Sequence, residues 1–144
     1  MHTRLEILLI EDNEGDVEMT QRILGDSKPV CNISVANNGI EALDFLFKRG
    51  HFDNMPTPQL ILLDINMPRM DGKKFLEIMK EEAALKAIPV IMLTSSQSAK
   101  DIRECYERHA SGYVVKPFHS TEYANALRQI VNFWGKLGQL PQPE

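Results

Sequence analysis

The chain has 144 residues, of which 43% are hydrophobic and 25% charged, and its formal net charge is −4. That length fits one domain able to bury its own core, and the acidic balance excludes a general nucleic-acid binder, which would present a basic face. The apolar run near the N-terminus is too short for a signal peptide, and no segment approaches the roughly 18 apolar residues of a membrane span. The expectation is a cytoplasmic protein that touches neither nucleic acid nor membrane directly.

"LEILLI" (5–10) reads as a strand. Asp16 is placed to cap a following helix with Val17, Thr20, Ile23 and Leu24 on one face. "NISVA" (32–36) is a second, less apolar strand, which suits the edge of a sheet or a place near it. A helix starts at Asn37 or Asn38, carries Ile40, Leu43 and Phe47, and ends at Gly50. A loop with two prolines, 51–58, leads to the third strand, 60–64. The next helix spans about 72–82 with Phe75, Leu76 and Met79 inward.

"PVIMLT" (89–94) is a continuous apolar strand, hence buried on both faces. A helix over about 98–109 carries Ile102, Cys105 and Tyr106, and "GYVV" (112–115) is the fifth strand. The last helix runs from about Ser120 to Leu137. Residues 1–137 form the single domain, and 138–144 are a short tail that Pro141 and Pro143 keep non-helical. Strands alternating with helices predict a doubly wound parallel sheet. Cys31 and Cys105 lie in apolar segments without metal-ligand spacing and read as core thiols. The four histidines (His2, His51, His109, His119) share no spacing and read as surface residues. "MKEE" and "KDIRE" read as solvated helix faces.

Parallel strands place their carboxyl ends on one edge, where ligands bind in open α/β sheets. Strand one ends in Glu11 and Asp12, strand three in Asp64, strand four in Thr94 and Ser95, and strand five in Lys116. Three carboxylates together repel one another or demand a cation. Oxygen-only donors suit a hard ion such as Mg²⁺, which keeps waters and accepts phosphate as a further ligand. Asp12 and Asp64 would hold it, with Glu11 acting through water and a backbone carbonyl of the following loop. A carboxylate can serve as nucleophile and form an acyl phosphate. Lys116 would supply charge, while Thr94 and Ser95 donate to phosphate oxygens.

"LLIEDN", "LILLDINMPRMDG", "VIMLTSS" and "YVVKPF", in that order over nearly the whole chain, resemble the receiver domain of two-component response regulators. The resemblance implies a flavodoxin-like five-stranded sheet of order 2-1-3-4-5. It implies that Asp64 is the phosphoacceptor, Glu11 and Asp12 the acidic metal pair, and Asn66 the residue whose backbone carbonyl binds the metal. Thr94 matches the switch hydroxyl, Ser95 the small residue beside it, and Lys116 the family's lysine. Tyr113 matches the aromatic that rotates inward on phosphorylation, and Lys116–Pro117 is a candidate cis bond. The Pro-containing loop 51–58 and the "NFWGKLGQLP" segment resemble stand-alone regulators paired with bacterial phytochrome histidine kinases.

The function so implied is a phosphorylation-switched binding module, fed by a histidine kinase, with only self-phosphorylation and autodephosphorylation as chemistry. The rival is a flavodoxin-like phosphatase or phosphotransferase acting through an aspartyl-phosphate. Such enzymes tend to carry a second acid two residues after the nucleophile, where this chain has Asn66. A nucleotide site is disfavoured because the turn after strand one, "EDNEGD", is acidic where a phosphate would sit. Excess apolar surface on the last helix, Phe133 and Trp134 above all, predicts a homodimer through the last two helices and strand five. The competing expectation is that Leu140 and Pro141 fold back and cover it.

Overall fold

The structure, a computed structural model, describes residues 4–141. Five strands and five α-helices alternate: β1 Leu5–Ile10, α1 Glu14–Gly25, β2 Cys31–Ala36, α2 Gly39–Leu46, β3 Leu60–Leu63, α3 Gly72–Lys80, β4 Val90–Thr94, α4 Ala99–Glu107, β5 Gly112–Val115 and α5 Ser120–Asn132. All strand pairs are parallel and the sheet order is β2-β1-β3-β4-β5. This is the flavodoxin-like doubly wound sheet, and the weakly apolar β2 takes an edge.

The period-2 geometry of a strand sends alternate residues to opposite faces, and both faces are covered. Leu8, Ile10, Ile61 and Leu63 face the layer of α2, α3 and α4, where they meet Phe45, Phe75, Leu76, Met79 and Cys105. Ile7, Leu9, Leu60 and Leu62 face α1 and α5 and meet Leu24, Tyr123, Leu127 and Val131. Double coverage is why β3, β4 and β1 from Ile7 onward read as apolar runs. Cys31 and Cys105 are free, buried thiols; burial pushes Cys105 up to about 11, a value that leaves it protonated and inert. His51, His109 and His119 are exposed, while His2 lies outside the described residues.

Several local expectations need correcting. Asp16 does not cap α1. Asn13 does, its side chain accepting from the Asp16 N–H at 2.9 Å, because Asn is as good a cap as Asp and stands directly before the first helical residue, Glu14. The second helix stops at Leu46 rather than Gly50; Lys48 takes the left-handed conformation (φ 58°) and Gly50 (φ 58°) opens a short 3₁₀ turn, Gly50–Phe52. Of the apolar residues on α4, Cys105 is buried and Tyr106 exposed. The cis bond is Lys28–Pro29 and not Lys116–Pro117. An X–Pro bond favours trans by only about 1 kcal/mol, so surrounding packing decides the isomer.

The α-helical part of the last helix ends at Asn132, and Phe133–Leu137 form a wider π-type turn closed by the Gly138 N–H on the Phe133 carbonyl at 2.5 Å. Gly135 passes so near Pro29 that a Cβ there would lie 2.6 Å from its ring. Trp134 and Leu140 pack against the core, so the chain does fold back there, but Phe133 and Leu137 stay exposed. Residues 142–144 of the tail, including Pro143, lie outside the described residues.

Candidate functional site

The register brings the acids together. Ile10 pairs with Leu63, so the residues just past each strand end, Glu11 and Asp64, lie side by side; the Asp64 N–H also donates to the Ile10 carbonyl at 3.1 Å. Glu11, Asp12 and Asp64 each offer a carboxylate oxygen, and these atoms all lie within 4.8 Å of one another. Glu11 and Asp64 are buried, and Asp12 is exposed. Three oxygen donors so close, with no His or Cys among them, fit a hard divalent cation that offsets their mutual repulsion.

Each acid is fixed locally. Asp64 Oδ1 accepts from the Ile65 N–H at 2.8 Å, and Glu11 Oε2 accepts from the Asn13 N–H at 3.1 Å. Gly72 opens α3 directly behind Asp64: its N–H donates to the Ile65 carbonyl at 2.8 Å, and a Cβ at this position would sit 2.2 Å from the Asp64 carbonyl oxygen. The absence of a side chain therefore lets the loop 64–71 turn tightly beneath the site. Asn66 is exposed on that loop, while Met67 and Met70 are partly buried and cover its core side.

Lys116 crosses from the end of β5. Its N–H donates to the Thr94 carbonyl at 2.8 Å, and its ammonium lies 2.6 Å from Glu11 Oε1, 2.8 Å from Asp16 Oδ2 and 3.6 Å from Asp64 Oδ2. Burial opposes this charge, but the hydrogen bonds to Asp16 and Glu11 outweigh it and hold the lysine above its ordinary pKa. Burial pushes Glu11 up to about 7, against the lowering pull of Lys116 and with a raising contribution from Asp64.

Thr94 is fully buried at the end of β4, and Ser95 is exposed beside Lys116 on a cleft that Asp16 also lines. Tyr113 is half-buried, its hydroxyl donating to the Ser96 carbonyl at 3.0 Å; burial raises its pKa.

Sequence reasoning missed two features. Asp16 is a partner of Lys116, and the available signal was its position in the first turn of a helix that begins at the strand end. Lys73 on α3 reaches Asp101 (2.5 Å) and Glu104 (2.7 Å) on α4, while Ser96 Oγ donates to Asp101 at 2.5 Å. These two hydrogen bonds push Lys73 up to about 12. In "KDIRE", Lys100 and Arg103 are exposed, while Asp101 and Glu104 are tied into ion pairs with Lys73. In "MKEE", Lys80 donates to the Lys86 and Ile88 carbonyls at 2.9 and 2.8 Å, and burial lowers its pKa.

The family model described as the response regulator receiver domain matches residues 7–128. Response regulator Rcp1 of Synechocystis sp. is 35% identical over 135 residues, covering 94% of this chain and 92% of that protein. The crystal structure of the phosphorylated cyanobacterial phytochrome response regulator RcpA superposes with a TM-score of 0.93 at 32% identity, covering 97% of this chain and 100% of that one. That of the Mn²⁺-bound form of Rcp1 gives 0.90 at 34% identity, covering 96% and 99%. With its sheet order, its carboxylates and its lysine all in the arrangement the motifs imply, the chain belongs to the response regulator receiver family.

Proposed function

We propose that Asp64 accepts a phosphoryl group from the phosphohistidine of a sensor histidine kinase, and that the modified domain changes its partner contacts. The observation that carries this reading is the convergence of Glu11, Asp12, Asp64 and Lys116 at one sheet edge. An Asp64 carboxylate oxygen forms the new O–P bond as the donor's P–N bond breaks; the electron pair stays on the imidazole nitrogen, which takes up a proton. Asp64 needs no general base, since it is the nucleophile as a carboxylate.

Glu11, Asp12, Asp64 and the Asn66 carbonyl would hold a Mg²⁺ ion, which would supply charge to offset the phosphoryl oxygens. Lys116, 3.6 Å from Asp64 Oδ2, supplies a further positive charge. Thr94 and Ser95 donate hydroxyl hydrogens to phosphoryl oxygens, and Tyr113, tied to the loop that follows Thr94, carries the change to the surface. The kinase is read as a bacterial phytochrome because Rcp1 and RcpA, similar over almost the whole chain, include a phytochrome response regulator by description. Cytoplasmic placement follows from such a partner; no helix among the described residues is long and apolar enough to cross a membrane.

The domain is read as a switch with self-phosphorylation and autodephosphorylation only, its unit being residues 1–137 with 138–144 as a tail. Asn66 stands where an aspartyl-phosphate hydrolase would need its acid. Incubation with phosphoramidate and Mg²⁺ should add one phosphoryl group to wild type and none to Asp64→Asn, as read by intact-mass spectrometry. Full labelling of Asp64→Asn, or sustained turnover of small phosphoesters, would reject the proposal.

A homodimer through α4, β5 and α5 is supported by the exposed Tyr106 and Phe133, which line an apolar groove of about 700 Å³ along β5 and α5. Aromatic anchors favour such interfaces, and two-fold dimers are the commonest oligomers.

A further inference from the structure

We propose that Asp16 is a positioning residue that holds the Lys116 ammonium aside from Asp64, so that Lys116 engages a phosphoryl group on Asp64 only by giving up this contact. The inference rests on the phosphoacceptor reading of Asp64 and adds to it a residue that sets how readily phosphorylation occurs. Lys116 lies 2.8 Å from Asp16 Oδ2 and 2.6 Å from Glu11 Oε1, but 3.6 Å from Asp64 Oδ2. Two acids therefore hold the ammonium at hydrogen-bond distance while the acceptor does not.

Those two acids are not equivalent. Glu11 is 2% exposed and its other carboxylate oxygen is held by the Asn13 N–H, so water cannot replace Lys116 as its partner. Asp16 stands in the first turn of α1 with a side chain 26% exposed, and water can solvate its carboxylate once the lysine leaves. The cleft of about 830 Å³ that Asp16, Ser95 and Lys116 line gives the ammonium room to move. A phosphoryl group carries about two negative charges, so it outcompetes one carboxylate, and the part-exposed contact is the one released. Asp16 thus lowers the occupancy of Lys116 at the acceptor before transfer, without touching the reacting atoms itself.

The test is the rate of phosphorylation by phosphoramidate with Mg²⁺ present, followed by intact-mass spectrometry. Asp16→Asn keeps the shape and removes the charge; its rate should rise about threefold, the scale of a part-exposed ion pair. Asp16→Ala should rise likewise, and Asp16→Glu, which restores the charge, should return towards wild type. In ¹⁵N-lysine spectra the Lys116 ammonium signal should differ between wild type and Asp16→Asn before phosphorylation and coincide after it. A merely structural role for Asp16 would not produce that convergence. Asp64-dependent labelling at a rate equal to or below wild type in both Asp16→Asn and Asp16→Ala overturns this inference alone, as do ammonium signals that stay apart after phosphorylation. Labelling of Asp64→Asn at the wild-type rate overturns the acceptor reading and this inference with it.

Discussion

Glu11 is a carboxylic acid with almost no exposure, beside Asp64 and against Lys116. Its burial lifts it from an ordinary value of 4.5 to about 7, so between those values the folded protein binds more protons than the unfolded chain. Stability linked to this group is therefore full below 4.5 and is lost as pH rises towards and through 7. In chelator, the melting temperature should fall over that window. Because a divalent ion stabilises the charged form, adding Mg²⁺ should raise the melting temperature more at pH 7 than at pH 5. A metal-free melting temperature that climbs over the window, or an equal gain from Mg²⁺ at both values, would show that burial does not control Glu11.

The elements hold the site through two close contacts. Where β3 passes into α3, Gly72 leaves no room for a side chain, since a Cβ would meet the Asp64 carbonyl oxygen at 2.2 Å. Backbone cannot give way as a flexible side chain can, so Gly72→Ala should cost about 2–3 kcal/mol in urea unfolding and slow phosphorylation of Asp64. Unchanged stability would mean that the turn relaxes freely. Between β5 and the loop before α4, the Tyr113 hydroxyl spans to the Ser96 carbonyl. Tyr113→Phe deletes that bond and keeps the ring; about 1 kcal/mol should be lost, with phosphorylation by phosphoramidate retained. A loss of labelling in this variant would place the hydroxyl in the chemistry and not in the switch.

At the scale of the molecule, the two core layers leave the outer side of α4, β5 and α5 thinly covered. Phe133 is 49%, Tyr106 48% and Leu137 71% exposed. Trp134 packs edge-on to Phe133 and also against the core, so its replacement would confuse folding with association. Phe133 and Leu137 are the cleaner probes. Wild type should sediment as a dimer at micromolar concentration, and Phe133→Ala combined with Leu137→Glu should shift it to monomer with little change in melting temperature. A wild type that is monomeric both with and without a phosphoryl mimic would refute association through this face.

Strand and helix identity, the sheet's double coverage and the strand-end positions of Glu11, Asp12, Asp64, Thr94 and Lys116 were all legible in the sequence. They depend on local signals: unbroken apolar runs, 3.6-residue spacing and turn residues at each break. Element ends were less legible, because Asn13 and Asp16 are equally good caps and Lys48 took a left-handed position usually given to glycine. Tertiary structure alone decided that Asp16 binds Lys116, 100 residues away, that Lys73 joins α3 to α4, and that the Tyr113 hydroxyl meets the Ser96 carbonyl. Each of these is a choice among several partners of similar chemistry. Periodicity places a side chain on a face, but which charge it meets there depends on how the sheet closes and on which groups are left buried beside it.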